Sequence, residues 1–269
     1  MTAKLFKRPV ALLIFTIAIL PAGVSRAQNA PPPAKGSGKQ AGPPVNKPEE
    51  DAYKAFFNAR TGTPETEIQL GEDFVMKFPM SHYLGQVYAG LCTAYSAVGQ
   101  EDKMFAAGQK ALEVNPDNVD ILSLLAMAIP RRVRGNTPDA AQQIQKAEEY
   151  GHHAVELIPN IPKPPDLDDA TFEKTKNDKL AMAHSGLGLI DLNHQKYEDA
   201  RTELMLAVQL ASTPDPVDYF LLGNADSKAS YYNDAAAAFD KCATSGPLMP
   251  QCKSGEDTAK KDATTKLGR

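Results

Sequence analysis

The sequence predicts an all-α protein built from stacked helical hairpins. A block of residues near the C-terminus recurs in register 35 positions further along the chain, and every matched pair keeps the same offset. The matched pairs are His184/Tyr219, Leu187/Leu222, Gly188/Gly223, Asp191/Asp226, Ala200/Ala235, Leu204/Phe239 and Ala207/Cys242. Self-similarity at this period is typical of helical hairpins that bury their apolar faces by stacking on one another.

Small residues recur where the two helices of one hairpin are expected to approach closely. Gly188 and Ala200 leave space between the helices, and Leu204 fills that space one turn later. The same arrangement returns in the next hairpin at Gly223, Ala235 and Phe239. Polar residues 193–197 and 230–233 supply the turns between the paired helices.

These positions resemble the tetratricopeptide repeat family, whose motif runs large-x2-Leu-Gly-x2-Tyr, then Ala-x3-Phe, then Pro. The copy closest to the motif spans residues 216–249, and Asp226 departs from its expected tyrosine. The motif positions that it fills are Tyr219, Leu222, Gly223, Ala235, Phe239 and Pro247. The resemblance implies a right-handed α-solenoid that acts in protein–protein interaction.

The repeats continue upstream but match fewer positions of the motif, and residues 49–249 form the predicted solenoid. Its predicted units are residues 49–84, which are degenerate, 85–118, 119–160, 181–214 and 216–249. In the unit 119–160 the second helix arrives nine residues late, and we assign the excess to an enlarged loop at residues 130–138.

Two further segments surround the last repeats. Residues 161–168 form a proline-rich break, and Asp169 is the expected N-cap of the helix that leads into the next unit. Residues 250–269 are expected to be a polar tail or a capping helix.

The first 27 residues have the layout of a secretory signal peptide. Lys4, Lys7 and Arg8 precede an apolar run over residues 10–20, and Ala27 ends a small-x-small cleavage site. The alternative is a membrane anchor, but the run is shorter than the roughly 20 residues that a membrane span needs. We therefore expect a periplasmic or secreted protein without stable membrane insertion after cleavage. Residues 28–48, rich in proline and glycine, are expected to be a disordered linker.

The charge and the cysteine content restrict the range of possible functions. The chain has 29 basic and 33 acidic residues, and removal of the signal peptide would leave 25 against 33, which argues against nucleic-acid binding. Cys92 falls on an expected buried helix face. Cys242 and Cys252 could close a short loop in an oxidising compartment, with a stabilisation of roughly 3 kcal/mol.

No motif in the chain points to catalysis, to a cofactor or to a metal. The five histidines lack the spacing of metal ligands, and no nucleophile elbow or phosphate loop is present. A non-catalytic interaction scaffold is therefore the favoured function. The alternatives are a dedicated subunit of an envelope-assembly or secretion complex and, less favoured, an enzyme that uses the 130–138 loop.

The family's geometry nominates a groove lined by the first helix of each repeat, which would bind a protein or peptide. The expected groove residues are Gln86, Ala89, Thr93, Ser96, Met182, Ser185, Leu189, Leu192, Val217, Phe220, Asn224 and Ser227. The alternative is that several of them only pack. Arg131, Arg132 and Arg134 form a second candidate contact, and the alternative is that they are only a basic helix end and loop. The sequence makes no prediction of the oligomeric state.

Overall fold

The structure is a computed structural model, and it describes residues 46–133, 138–244 and 246–266. Within those ranges the chain forms eleven α-helices, which confirms the predicted all-α fold. The helices are α1 Lys47–Ala59, α2 Pro64–Lys77, α3 Leu84–Ala97, α4 Glu101–Val114, α5 Val119–Arg132, α6 Ala140–Leu157, α7 Asp169–Asn193, α8 Tyr197–Leu210, α9 Pro216–Lys228, α10 Tyr232–Cys242 and α11 Met249–Lys266. A short 3-10 turn at Ile158–Asn160 follows α6. The predicted signal peptide and residues 28–45 of the predicted linker lie outside the described residues.

Successive helices pack in pairs as hairpins: α1 with α2, α3 with α4, α5 with α6, α7 with α8, and α9 with α10. Three of the five hairpin turns contain three residues each, and their middle residue has a positive φ. These residues are Gly99, Gln195 and Ser230, with φ of 71°, 62° and 71°. Only glycine adopts this conformation freely, so the tight turn imposes it on Gln195 and Ser230.

Glycines mark the closest contacts between helices. A Cβ atom on Gly188 would lie 2.6 Å from Cγ of Leu204, and one on Gly223 would lie 2.8 Å from the Phe239 ring. These are the contacts that the repeated small residues predict. A tighter one joins two first helices, because a Cβ on Gly186 in α7 would lie 2.1 Å from the carbonyl oxygen of Ala126 in α5.

A proline in α5 explains why that contact is possible. Pro130 lies inside the helix and has no N–H, so the carbonyl of Ala126, four residues earlier, receives no helical hydrogen bond from it. The backbone of Gly186 lies against this free oxygen, where a Cα–H···O contact can form. The α5–α7 packing therefore depends on one proline and one glycine that are 56 positions apart in the sequence.

The insertion in the third hairpin differs from its predicted position. Helix α5 continues through Pro130 to Arg132, so residues 130–132 are not part of the loop. The turn covers residues 133–139, and residues 134–137 of it lie outside the described ranges. The rest of the excess lengthens α6, which has 18 residues where α4 has 14. A helix accommodates extra residues by adding a turn, which a sequence comparison of spacings alone does not reveal.

Helix α7 is the longest of the described helices, with 25 residues, because about three turns precede the expected start of its repeat. Its N-cap is Asp168, one residue before the predicted Asp169, and the carboxylate of Asp168 accepts a hydrogen bond from the backbone N–H of Thr171 at 2.9 Å. The extension is held at Asp178, whose carboxylate accepts hydrogen bonds from the backbone N–H and the hydroxyl of Ser212 at 2.7 and 3.0 Å.

Helix α11 packs against α10 at the end of the described chain. Cys252 and Ala259 are its buried residues, and Gly255 lies against the ring of Phe239. This ring is therefore enclosed by Gly223 on one side and by Gly255 on the other. The remainder of α11 is polar and faces solvent, as expected for a helix that closes a stack of apolar hairpins.

Candidate partner-binding site

First helices of three consecutive hairpins line a groove of about 600 Å³, the first-helix groove. Its lining residues are Arg60, Ala89, Thr93, Ser96, Ala97, Asp120, Ile121, Leu124, Thr175, Asp178, Lys179 and Met182. Helix α3 forms one side, α5 forms the floor, and the N-terminal extension of α7 forms the other side. The buried side chains of Ile121 and Leu124 make the floor apolar, whereas Thr93 and Ser96 are exposed at the rim.

A second cavity of about 470 Å³ shares Ser96 with the groove and follows α3 and α5 toward their C-terminal ends. Met127 and Ala128 of α5 and Met104 and Phe105 of α4 supply its apolar lining. Methionine adapts to apolar partners of irregular shape, so the two cavities together offer an extended surface with a deformable floor.

The charges around the groove are largely paired with one another. Lys179 forms an ion pair with Asp120 at 2.7 Å across the α5–α7 contact. Asp178 is held by Ser212 and by Lys174, the latter at 2.9 Å. Because the charges are neutralised within the protein, the groove favours a partner recognised by shape and by hydrogen bonds over one recognised by net charge.

The structure brings only some of the predicted groove residues together. Thr93 and Ser96 line the first-helix groove, as do Ala89 and Met182. Gln86 is exposed on the same helix as Thr93, near its N-terminus. The Thr93 hydroxyl donates to the carbonyl of Ala89 at 2.9 Å, so it is held along its own helix.

Ser185 does not line the groove, because it is 1% exposed and belongs to a buried polar cluster. Its hydroxyl donates to Asp218 at 2.6 Å and accepts from Arg131 at 2.9 Å. Arg131 also donates to Asp218 at 2.7 Å and to Asp215, the N-cap of α9, at 2.8 Å. One guanidinium thus joins α5, α7 and α9, which belong to three successive hairpins.

This cluster changes the interpretation of the arginines near the α5 C-terminus. Arg131 is occupied by intramolecular partners and is not a free contact for another molecule. Arg132 is bound to Asp102 at 2.5 Å and stacks 5.1 Å from the Phe105 ring centroid. Arg134 lies outside the described residues. No sequence signal links Arg131 to an acidic residue 87 positions later, so the sequence could not identify this cluster.

The remaining predicted groove residues, which lie on α7 and α9, are half-buried. Leu189, Leu192 and Val217 contact the apolar cluster of α8 and α9, and Phe220 lies with its ring centroid 5.9 Å from that of Phe239. Asn224 and Ser227 are half-buried on α9. None of these residues lines the first-helix groove.

Ion pairs also join the two helices within one hairpin. His184 lies 2.6 Å from Glu203 within the fourth hairpin. No set of three potential metal ligands is assembled in residues 46–133, 138–244 and 246–266. Burial raises the pKa of the Cys92 thiol to about 12, which makes it unreactive near neutral pH.

Cys242 at the end of α10 and Cys252 in α11 are joined as a disulfide, with their Cα atoms 5.8 Å apart. This separation is within the usual range for a disulfide. Both side chains are fully buried beside the α10–α11 contact. The pair therefore connects the last hairpin to the helix that covers it.

None of the described helices combines the length and the apolar composition that a membrane span requires.

The paired helices, the close contacts of Gly188 and Gly223 within their hairpins and the helix α11 that covers the last hairpin define the class of this protein. It has an all-α helical-repeat fold of hairpins that stack on one another. No known protein family matches the sequence. No curated protein matches it either.

Two solved structures that are similar to this chain are described as tetratricopeptide-repeat structures. One is a thermophilic protein of this kind from Thermus thermophilus, with a TM-score of 0.47 and 14% identity over 78% of this chain and 98% of that chain. Another is the tetratricopeptide-repeat domain of P58(IPK), with a TM-score of 0.33 and 12% identity over 80% of this chain and 65% of that chain.

Proposed function

We propose that this protein is a non-catalytic scaffold that is exported from the cytoplasm and binds a protein or peptide in the first-helix groove. The observation that carries the proposal is the groove of about 600 Å³ between α3, α5 and α7. Its apolar floor and polar rim are suited to an extended or helical segment, whose backbone amides can bond to rim hydroxyls such as those of Thr93 and Ser96.

The extension of α7 supports this proposal, because it gives the groove a second side. Thr175, Asp178 and Lys179 all lie in the part of α7 that precedes the repeat, and all three line the groove. The hydrogen bonds from Ser212 to Asp178 hold this extension in place. A segment bound there would contact three helices at once, which favours a specific partner over a loosely held one.

Photocrosslinking in living cells tests the groove. A benzoylphenylalanine at Ser96 in the full chain is expected to capture a partner, and the same group at Thr202 on α8 is the control. Thr202 is exposed as Ser96 is, and its hydroxyl donates to the carbonyl four residues earlier as that of Thr93 does. Thr93→Trp is expected to abolish the Ser96 crosslinks by filling the groove, whereas Thr202→Trp leaves them unchanged.

The number of crosslinked proteins separates two forms of this function. One stoichiometric partner would assign the chain to a fixed envelope-assembly or secretion complex, and many partners would assign it to a general adaptor. Equal crosslinking at Ser96 and Thr202, or crosslinks that survive Thr93→Trp, would remove the groove from the proposal.

Export is tested separately by N-terminal sequencing of the protein from fractionated cells. A mature chain that begins at Gln28 and is recovered outside the cytoplasm is the expected result. A chain that keeps residues 1–27 and remains in the cytoplasmic fraction would overturn the export proposal and leave the groove proposal intact.

A further inference from the structure

Two cavities on the other side of the first helices occupy equivalent positions in the repeat. The α2–α4 slot has a volume of about 310 Å³ and lies between α2 and α4 over α3. The α8–α10 slot has a volume of about 290 Å³ and lies between α8 and α10 over α9. Seven lining positions of one correspond to lining positions of the other at a constant offset of 131 residues. The pairs are Tyr88/Tyr219, Leu91/Leu222, Tyr95/Asp226, Lys103/Asp234, Ala106/Ala237, Ala107/Ala238 and Lys110/Lys241.

Most of these positions keep both residue type and geometry. The Lys110 ammonium lies 5.1 Å from the Tyr88 ring centroid, and the Lys241 ammonium lies 5.3 Å from that of Tyr219. The two slots thus share a lysine-over-tyrosine wall and an alanine pair. Five of the seven matched positions therefore hold the same residue type, which allows the other two to be compared between the slots.

The charge differs at two of the matched positions and also at the residue that binds them, which is Arg201 in one slot and Glu72 in the other. In the α8–α10 slot, Asp226 and Asp234 both bind Arg201, at 2.7 and 2.9 Å. The equivalent residues in the α2–α4 slot are Tyr95 and Lys103, which both donate to Glu72, at 2.6 and 2.9 Å. Two carboxylates in one slot therefore correspond to a hydroxyl and an ammonium in the other.

The α2–α4 slot consequently presents positive charge beside apolar surface. Hydrogen bonds from Tyr95 and Lys103 lower the pKa of Glu72, so its carboxylate stays ionised and already has bonding partners. Among the described residues no carboxylate lies within 4.0 Å of the Lys110 ammonium, which is exposed at the rim. Met76, which also lines the slot, is 71% exposed, so its apolar side chain is accessible to a partner.

We infer that the α2–α4 slot is a second docking site, for a partner segment whose apolar side chains are flanked by carboxylates. The apolar side chains would contact Val75, Met76 and Leu91, and the carboxylates would pair with Lys103 and Lys110. The volume is at the small end of the roughly 300–1,000 Å³ of ligand pockets, which suits one or two side chains of an extended segment. The α8–α10 slot should bind the same segment more weakly. It has the carboxylates of Asp226 and Asp234, both paired with Arg201, where the α2–α4 slot has the Tyr95 hydroxyl and the Lys103 ammonium.

A synthetic peptide tests this inference by fluorescence anisotropy. The probe is a fluorescein-labelled peptide with a leucine–phenylalanine pair flanked on each side by two glutamates, and the full mature chain is titrated into it. Saturable binding is expected, with at least fivefold weaker binding for Lys110→Glu and a change below twofold for the matched control Lys241→Glu. A peptide with lysines in place of the glutamates is expected to bind at least fivefold more weakly.

Further measurements keep the result interpretable. Lys110→Met, which removes the charge and keeps the length of the side chain, is the second variant if Lys110→Glu unfolds, and it should also weaken binding. Thr93→Trp should leave the peptide affinity unchanged, because the first-helix groove is a separate site. Failure of the inference therefore leaves the proposed groove function untouched.

Three outcomes would overturn the inference. The first is an absence of saturable binding up to about 1 mM protein, the weakest affinity of interest. The second is equal weakening by Lys110→Glu and Lys241→Glu, which would show attraction to net charge alone. The third is Lys110-dependent binding of laurate without binding of the peptide, which would assign the slot to a fatty-acid anion.

Discussion

The Asp226 carboxylate lies 2.7 Å from the guanidinium Nε of Arg201, and this pair joins the last two hairpins across the α8–α9 contact. Asp226 occupies the position where the repeat motif has tyrosine. In the second hairpin that position is Tyr95, whose hydroxyl donates to Glu72 on the preceding helix α2. Both residues therefore connect the first helix of one hairpin to the second helix of the hairpin before it. Tyr95 binds an acidic residue, Glu72, whereas Asp226 binds a basic residue, Arg201.

Loss of Arg201 should leave a buried carboxylate without its partner. The Asp226 side chain is 3% exposed, so we expect Arg201→Ala to reduce the free energy of unfolding by about 3 kcal/mol at pH 7. Denaturant titration measures this quantity. Arg132→Ala is the control, because Arg132 pairs with exposed acidic residues, and its loss should cost less than about 1 kcal/mol. Similar losses in the two variants would contradict the burial argument.

The titration of Asp226 gives a pH dependence with a definite sign. Burial raises the pKa of Asp226 from 3.8 to about 6, and Arg201 opposes this effect. Between these two values the folded protein retains a proton that the unfolded chain releases, so stability falls as the pH rises from about 4 to 6. The wild-type melting temperature should therefore decrease over this window relative to that of Asp226→Asn. A relative increase would mean that Arg201 lowers the pKa below its ordinary value.

Much of the fold could be predicted from the sequence because its signals are local and periodic. Gly188 and Gly223, with Leu204 and Phe239, identify the hairpin packing, and the structure has these contacts. The Gly186–Ala126 contact could not be predicted in this way, because it depends on a proline in another hairpin.

The candidate site was less predictable than the fold, because it too depends on contacts between residues of different hairpins. A position count along the first helix places Thr93 and Ser96 in the groove. The same count nominates Ser185, which instead lies in a buried polar cluster, because Arg131 and Asp218 approach it from other hairpins. The sequence does predict a helix from Asp169 into the next repeat, but the repeat motif has no counterpart of this extension and so does not place it in the groove.

The buried polar cluster of Arg131, Ser185, Asp215 and Asp218 should couple three hairpins. Removal of the Arg131 guanidinium should loosen the last of these hairpins. Arg131→Gln is expected to reduce the free energy of unfolding by about 3 kcal/mol, because Asp218 is 5% exposed and loses its cation. Hydrogen exchange should increase most in α9, whose first turn Arg131 holds through Asp215 and Asp218.

Ser185→Ala is the matched control for Arg131→Gln, since it removes one hydroxyl and keeps both ion pairs. Its cost should be about 1 kcal/mol. Exchange in α9 that is unchanged in Arg131→Gln would show that the apolar contacts alone hold this helix.

The α5–α7 contact should tolerate no side chain at Gly186. Gly186→Ala places a methyl group 2.1 Å from the carbonyl oxygen of Ala126, which is backbone and cannot rotate away. We expect a loss of about 3 kcal/mol in the free energy of unfolding, at the upper end of overpacking effects. Gly62→Ala, where the nearest atom would be at 3.2 Å, is the mild comparison and should cost less than about 1 kcal/mol. Equal costs would mean that the helices separate easily.

The bond between Cys242 and Cys252 should hold helix α11 on the last hairpin. The cysteines are 10 residues apart, and closure of so short a loop is expected to stabilise the fold by about 3 kcal/mol. The double variant Cys242→Ser/Cys252→Ser should unfold at lower denaturant and show faster hydrogen exchange in residues 249–266. Dithiothreitol should produce the same change in the wild type and none in the double variant.

Cys92 is the internal control, since its buried thiol should resist iodoacetamide until the protein unfolds. Alkylation of both Cys242 and Cys252 in folded protein from its native compartment would show that the bond does not form there.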